Sequence, residues 1–158
     1  MPDSEAVSEF WLRAARTAGL DLAAEPPAWS FADTPRLADE LLQAVLDGRK
    51  TGTSTSMLEL TDDGETVPQP GELSIVLDGA GAPRAVIRTT SVRIATFDDV
   101  DAEFAASEGE DDLSLAAWRD GHERYFRRVL ERRGVPVREI GGLEVVLERF
   151  EVVYSESC

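Results

Sequence analysis

Apolar side chains recur at the spacing of an α-helix in several segments of the chain. The first such segment covers residues 4–18, with Ser4 as a candidate N-cap and Gly19 as its stop. The second begins after Thr34, which can cap a helix and precedes a proline suited to the first helical position, and Gly48 ends it. The pattern therefore predicts two helices before the middle of the chain.

After Gly48 the pattern changes to that of strands. The segments "TGTSTSML", "LSIVLD", "RAVIRTTSVRIATF" and "LEVVLERFEVVY" are β-rich, "GAGAP" gives a hairpin turn, and "TDDGETVPQPGE" is rich in turn residues. The segment "FDDVDAEFAASEGEDD" predicts a short helix and an acidic loop, and residues 113–133 predict a third long helix. Short connections favour antiparallel pairing, so the predicted fold class is α+β, with a small antiparallel curled sheet or β-barrel flanked by helices.

The length of 158 residues suits one compact domain. The segment "AAEPPAWS" reads as a linker, because adjacent prolines cannot continue a helix. We expect residues 1–30 to form an N-terminal helix and linker that pack on the main domain, which is residues 31–158.

The formal net charge is −15, which repels polyanions at long range and argues against a general nucleic-acid coat protein. Positive charge is nevertheless gathered in residues 119–138, which contain seven arginines. Two readings of this segment stay open. It is either a solvated helix face with internal ion pairs or a surface that contacts phosphates.

Nothing in the sequence indicates a membrane. No apolar run approaches the roughly 18 residues of a membrane span, and the acidic N-terminus lacks the pattern of a signal peptide. The single cysteine, Cys158, cannot form an internal disulfide. These features predict a cytoplasmic protein without a membrane partner.

The segment "GRKTGTSTS" contains Lys50, the only lysine beside fifteen arginines. A buried lysine can lose its proton, which arginine cannot, and it could then activate the hydroxyl of Thr53. In a straight strand these two side chains would point to opposite faces, so Gly52 would have to bend the chain. The alternative is an ordinary threonine- and serine-rich edge strand.

The sequence contains no Cys/His cluster for zinc, no glycine-rich phosphate loop and no HExxH motif. The acidic run 108–112 could bind a divalent cation, but it lacks the alternating spacing of a calcium loop, so a solvated loop is favoured. On the third helix Trp118, His122 and Tyr125 share one face. Trp118 is predicted to be core, whereas the other two are either core or a base-stacking wall.

The ordered set "VLDGRKTGT", "PQPGELSIVLD", "AVIRTTSVRIATFDDVDAEFAASEGEDDLSLAAWRDGHERYF" and "VVLERFEVVY" resembles the larger bacterial branch of the ASCH (activating-signal-cointegrator homology) domains. The resemblance runs from about Phe31 to Tyr154. It implies a PUA-like β-barrel that binds RNA, a nucleoside or a nucleotide in a cleft.

One smaller branch of that family is similar to amidohydrolases that remove the acetyl group of N4-acetylcytidine. The resemblance places their catalytic residues on Lys50, Thr53 and Glu108, with Glu110 as the alternative acid. Another member is similar to a metal-assisted ribonuclease, which would require a divalent cation, and no other cofactor is implied. The residues expected to bind the ligand are Arg49, Thr51, Thr55, Arg119, His122, Tyr125 and Arg128.

Three functions remain open at this point. A hydrolase of a modified nucleoside would use Thr53 as nucleophile, Lys50 as base and Glu108 to orient the lysine or protonate the leaving amine. A ribonuclease would place Lys50, His122 and the arginines around the scissile phosphate. A non-catalytic module would bind RNA or a nucleotide. The hydrolase is favoured.

Overall fold

The computed structural model describes residues 2–110 and 112–157. Within these ranges the helices and strands follow the order α1 (Ser4–Ala18), β1 (Ala28–Trp29), α2 (Pro35–Leu46), β2 (Gly52–Ser56), α3 (Met57–Asp63), β3 (Leu73–Leu77), β4 (Pro83–Thr96), α4 (Ala102–Ser107), α5 (Leu115–Arg132) and β5 (Glu144–Ser155). Single 3-10 turns lie at Phe97–Asp99 and Ile140–Gly142. The strands form a sheet of order β1-β3-β4-β5-β2, and the predicted α+β class is confirmed.

The ends of the first two helices follow the capping rules closely. Helix α1 is capped by Asp3, whose Oδ1 accepts from the amide of Glu5 at 3.0 Å, so the predicted cap at Ser4 was wrong by one residue. Gly19 ends the helix in the left-handed region, as predicted. In α2 the Thr34 hydroxyl accepts from the amide of Leu37 at 3.2 Å, as the sequence indicates.

Two elements were not predicted. Helix α3 occupies Met57–Asp63, where the sequence suggested the end of a strand and a turn. Its start is a capping box, in which the Ser56 hydroxyl accepts from the amide of Glu59 at 3.2 Å and the Glu59 carboxylate accepts from the amide of Ser56 at 3.0 Å. Strand β1, Ala28–Trp29, lies in the predicted linker and pairs in parallel with β3.

The chain divides into two compact units. The first consists of residues 1–49, 70–90 and 150–158. In it β3 pairs antiparallel with the first half of β4, and α1 buries Phe10 and Trp11 against Ile75 and Val86. A second group of apolar side chains, which includes Phe31, Leu42, Val45, Val76, Ile87 and Phe150, completes the core of this unit.

The second unit consists of residues 50–69 and 91–149, and it holds the candidate site described below. Strand β2 pairs antiparallel with β5, with Gly52 opposite Arg149 and Ser54 opposite Leu147. Helices α4 and α5 contribute Phe104, Trp118 and Phe126 to a core that also includes Leu147. None of the helices in the described ranges combines the length and the apolar character that a membrane span requires.

Candidate functional site

Lys50 lies just before β2, and its side chain is only 1% exposed. Its Nζ donates to the backbone oxygen of Gly52 at 2.9 Å, to that of Glu108 at 3.4 Å and to Glu108 Oε1 at 3.2 Å. These three atoms are acceptors, and an ammonium has three hydrogens to donate. The surroundings therefore suit a charged, firmly held lysine.

Glu108 follows α4 directly, where the chain is held to the start of β2 by a 2.7 Å bond from the Thr51 amide to the Ser107 carbonyl oxygen. Its side chain is 2% exposed. Besides Lys50, its carboxylate accepts from Ser54 Oγ at 2.7 Å and from Trp118 Nε1 at 2.6 Å. These donors come from β2 and α5, so two elements of the second unit, together with Lys50 just before β2, fix one carboxylate.

The donors also determine the charge of Glu108. Burial alone would raise its pKa, but the charge of Lys50, the proximity of His122 and the bonds from His122 and Trp118 outweigh burial and lower the pKa. Glu108 is therefore a carboxylate at neutral pH. This makes it a poor proton donor to a leaving amine, which was one of its two predicted roles.

His122 on α5 connects the buried pair to the surface. Its Nε2 lies 3.2 Å from Glu108 Oε2 and 3.7 Å from Glu110 Oε2, and its ring stacks on Trp118 at a centroid distance of 4.2 Å. The side chain of His122 is 13% exposed and that of Glu110 is 28% exposed. The cluster thus runs from a buried end, Lys50 and Glu108, to an accessible end, Glu110 and His122.

Potential metal-ligand atoms of Glu108, Glu110 and His122 lie within 4.8 Å of one another. The Nζ of Lys50 is 3.2 Å from Glu108 Oε1 and 3.9 Å from Glu110 Oε2, and it already supplies the positive charge that a cation would bring. We therefore assign no metal to this cluster. The expectation of a solvated acidic run was wrong for Glu108, which is buried; Asp111 lies outside the described residues.

The hydroxyl that contacts the cluster belongs to Ser54, not to Thr53. Strand β2 is regularly paired, so Thr53 and Thr55 point to the face opposite that of Ser54, and Thr53 is paired with Glu148 of β5. Gly52 does not reverse this, because Gly52, Thr53 and Ser54 pair in unbroken register with Arg149, Glu148 and Leu147 of β5. The structure brings Lys50 and Glu108 together and leaves Thr53 on the other face.

Comparison with known proteins identifies the family of this chain. A family model described as the ASCH domain matches residues 27–154. The chain belongs to the ASCH domain family. ASCH domains have a PUA-like fold that is often linked to RNA binding.

Two solved structures are similar to this ASCH domain along most of its length. A crystal structure of a protein from Enterococcus faecalis V583 is 32% identical, with a TM-score of 0.84, and the match covers 94% of this chain and 88% of that one. A crystal structure of an ASCH domain from Lactobacillus crispatus JV V101 is 30% identical, with a TM-score of 0.81, and covers 94% of both chains. Comparison with curated proteins found no match.

The other predicted ligand residues of this ASCH domain lie apart from the cluster or support it. Thr51 anchors the chain to α4 through its amide and its hydroxyl, both bonded to the Ser107 oxygen. Thr55 is half-buried on the Thr53 face. Arg49 belongs to the first unit and pairs with Asp47 at 3.1 Å.

The predicted residues on α5 divide in the same way. Tyr125 packs against the core, and the guanidinium carbon of Arg128 lies 5.6 Å from the centroid of its ring. Arg119 donates to the Asp98 oxygen at 3.0 Å, and its Nε is buried with no hydrogen-bond partner in the described part of the chain. Of the predicted residues on α5, His122 is the one whose contacts with Glu108 and Glu110 are described.

Several arginines of α5, and Arg133 directly after it, form ion pairs within the second unit. Arg124 pairs with Asp120 and Arg127 with Glu123, each at 2.9 Å and one helical turn apart, and Arg133 reaches Asp62 at 3.0 Å. These pairs favour the solvated, internally paired reading for that part of the arginine-rich segment.

Ser54 and Trp118 are the contacts of Glu108 that sequence reasoning did not assign to the site. Ser54 had a signal, because it shares the parity of Lys50 and Gly52 along a strand. Trp118 was correctly predicted as core, but its indole N–H also needs an acceptor when buried, and Glu108 is that acceptor.

Gly52 offers a direct test of how tightly the site is packed. A Cβ at this position would collide with Ser107 Oγ and would lie 3.4 Å from Phe104 Cε2. We expect Gly52→Ala to lower the free energy of unfolding by about 1–3 kcal/mol, because α4 must move away from β2. Urea unfolding measures this change. Gly142→Ala is the matched control, since a Cβ there meets nothing within 4 Å, and equal losses in the two variants would refute close packing at Gly52.

Proposed function

We propose that this ASCH domain is a hydrolase that removes the acyl group from a modified nucleoside of the N4-acetylcytidine type. One observation carries the proposal. The accessible end of the cluster places a carboxylate, Glu110, beside an imidazole, His122, at 3.7 Å. A carboxylate and an imidazole within reach of each other can share the two proton transfers that amide hydrolysis requires.

The buried ion pair between Lys50 and Glu108 supports the proposed function, because burying two charges costs desolvation free energy. An ion pair taken out of water is not a favourable way to stabilise a core, because desolvation offsets most of its attraction. The pKa of Glu108 is lowered by its neighbours, and groups with shifted pKa values are concentrated at functional sites. We therefore assign Lys50 and Glu108 the role of holding His122 and Glu110 in position and of stabilising their charges.

The contacts support catalytic roles for these residues that differ from the roles that the family resemblance implies. Lys50 is surrounded by acceptors and closed off from solvent, which suits a positioning residue better than a base. Thr53 lies on the face opposite Ser54. We therefore assign the attack on the acyl carbon to water, with Glu110 as the base that takes its proton.

The net charge favours a small neutral substrate over a long polyanion. At −15 the protein repels nucleic acid at a distance, whereas a nucleoside without phosphates experiences no such repulsion. The acyl group of a modified base also provides the amide carbon that the proposed chemistry needs.

The test is incubation with N4-acetylcytidine, with cytidine and acetate quantified by mass spectrometry. We expect both products in equal amounts. Ser54→Ala should reduce the rate by about tenfold or more, because Glu108 loses one of the bonds that hold its carboxylate beside His122. Thr53→Ala should reduce it less, since that hydroxyl lies on the other face.

Three results would contradict the proposal in different ways. A greater loss in Thr53→Ala than in Ser54→Ala would assign the first attack to Thr53, and water would then act only in releasing the acyl group from that threonine. No product from N4-acetylcytidine, together with cleavage of single-stranded RNA that weakens as salt is raised, would favour the ribonuclease. Binding of either ligand without any product would favour the non-catalytic module.

A further inference from the structure

His122 is the single histidine of the chain, and both of its ring nitrogens face oxygen atoms. Nδ1 lies 2.9 Å from the carbonyl oxygen of Trp118, one turn earlier on α5. Nε2 lies 3.2 Å from the carboxylate of Glu108 and 3.7 Å from that of Glu110. Stacking on Trp118, with 15° between the ring planes, fixes the orientation of the imidazole.

A neutral imidazole does not match these partners. It has one N–H donor and one acceptor nitrogen, whereas a carbonyl oxygen and an ionised carboxylate can only accept. A neutral ring would therefore point one lone pair at an oxygen lone pair. The imidazolium has two donors, and it satisfies Trp118 and Glu108 together.

The proton between His122 Nε2 and Glu108 does not come from a protonated Glu108. Its carboxylate already accepts from Lys50, Ser54 and Trp118, and these bonds favour the ionised form. With Lys50 and His122 positive and the two glutamates negative, the cluster has no net charge. A buried charged group is tolerated when it is paired and hydrogen-bonded in this way.

We propose that His122 is held as an imidazolium and is the proton donor of the site. This role rests on the proposed hydrolase function and names the group that completes it. His122 is suited to the role because 13% of its side chain is exposed, whereas the side chains of Lys50 and Glu108 are buried.

The step balances with the groups present. The oxygen of water forms a bond to the acyl carbon while Glu110 takes one of its protons. The C–N bond to the nucleobase then breaks, and its electron pair remains on the amine nitrogen of the nucleobase. The Nε2 proton of His122 moves to that nitrogen. The products are the free amine and a carboxylic acid, which ionises into solvent. The proton on Glu110 then passes to His122 and restores both groups.

The charged groups near His122 are Glu108 and Glu110 from the segment after α4, and Lys50 beyond Glu108; on α5 itself the neighbours are the rings of Trp118 and Phe126. Burial alone would lower the pKa of His122, but the charge of Glu108, its hydrogen bond and the charge of Glu110 outweigh burial and raise the pKa. The direction agrees with the short distances from Nε2 to the two carboxylates.

Because the chain has one histidine, NMR of the intact protein with ¹⁵N-labelled histidine reports on His122 without assignment. We expect imidazolium shifts at pH 7 and a titration midpoint above the ordinary value of 6.5. Glu108→Gln should lower the midpoint, whereas Glu103→Gln, on the exposed side of α4, should leave it unchanged. A neutral ring at pH 7 in the wild-type protein overturns the proposal and needs no variant.

Activity separates the donor step from a structural role. His122→Gln should slow hydrolysis of N4-acetylcytidine by about 10²–10⁴-fold, but it should slow hydrolysis of p-nitrophenyl acetate far less, since that leaving group needs no proton. Equal losses on amide and ester would overturn the donor role. A charged His122 in a protein that hydrolyses no acyl nucleoside would overturn the proposed function and the donor step, while the charge assignment would stand.

Discussion

Replacing Lys50 by methionine is expected to lower the free energy of unfolding by about 3–5 kcal/mol. Methionine has a similar length and fills most of the space, so the loss reflects charge more than volume. It leaves Glu108 as a buried carboxylate without its ammonium partner, and removing one member of a buried pair is costly because the other charge remains. Denaturation in urea at neutral pH measures the difference.

Arg36→Met is the matched control for this experiment. Arg36 pairs with Glu40 at 3.1 Å one helical turn away on α2, with both side chains well exposed, and loss of such a pair costs about 0.5 kcal/mol or less. The double variant Lys50→Met/Glu108→Gln should regain part of the loss, because it removes the unpaired charge. A Lys50→Met variant as stable as Arg36→Met would contradict the assignment of a buried ion pair.

The free energy of unfolding lost in Lys50→Met should depend on pH in a definite direction. The pKa of Glu108 is lowered in the folded protein, so the stability it contributes is fully present above its unfolded pKa and is lost as pH falls through the folded value. Without Lys50, burial would instead favour the protonated acid. The deficit of Lys50→Met should therefore be largest at neutral pH and should shrink as the solution is acidified.

The second large effect is expected on catalysis. Glu110→Gln should reduce kcat/KM for N4-acetylcytidine by about 10²–10⁴-fold, the usual contribution of a general base. Glutamine preserves the shape of the side chain but cannot take a proton from water. The change lies at the accessible end of the cluster, so the stability of the protein should fall far less than in Lys50→Met.

The sequence predicted most of the helices and strands well, because these depend on local patterns, but it missed α3 and β1. Two further local patterns in the sequence indicate features that the structure contains. The spacing Ser56-x-x-Glu59 is a capping box, which marks the start of α3. The period of two along β2 places Ser54, rather than Thr53, on the side of Glu108.

Other features of the site could not be predicted from local patterns. Lys50 and Glu108 are 58 residues apart, and their contact depends on how the end of α4 meets the start of β2. Residue patterns alone left Glu108 in an acidic run that suggested a solvated loop, and the family resemblance was needed to select it. The contact between the Trp118 indole and Glu108 is equally a product of tertiary packing.

The most direct test of the account is a kinetic comparison of the wild-type protein, Glu110→Gln and Glu103→Gln with N4-acetylcytidine as substrate. Both variants remove one carboxylate, but only Glu110 belongs to the cluster, while Glu103 is an exposed residue of α4. The account predicts release of cytidine by the wild-type protein and Glu103→Gln at similar rates, and a loss of about 10²–10⁴-fold in Glu110→Gln. Equal rates in all three proteins, or no cytidine from any of them, would contradict it.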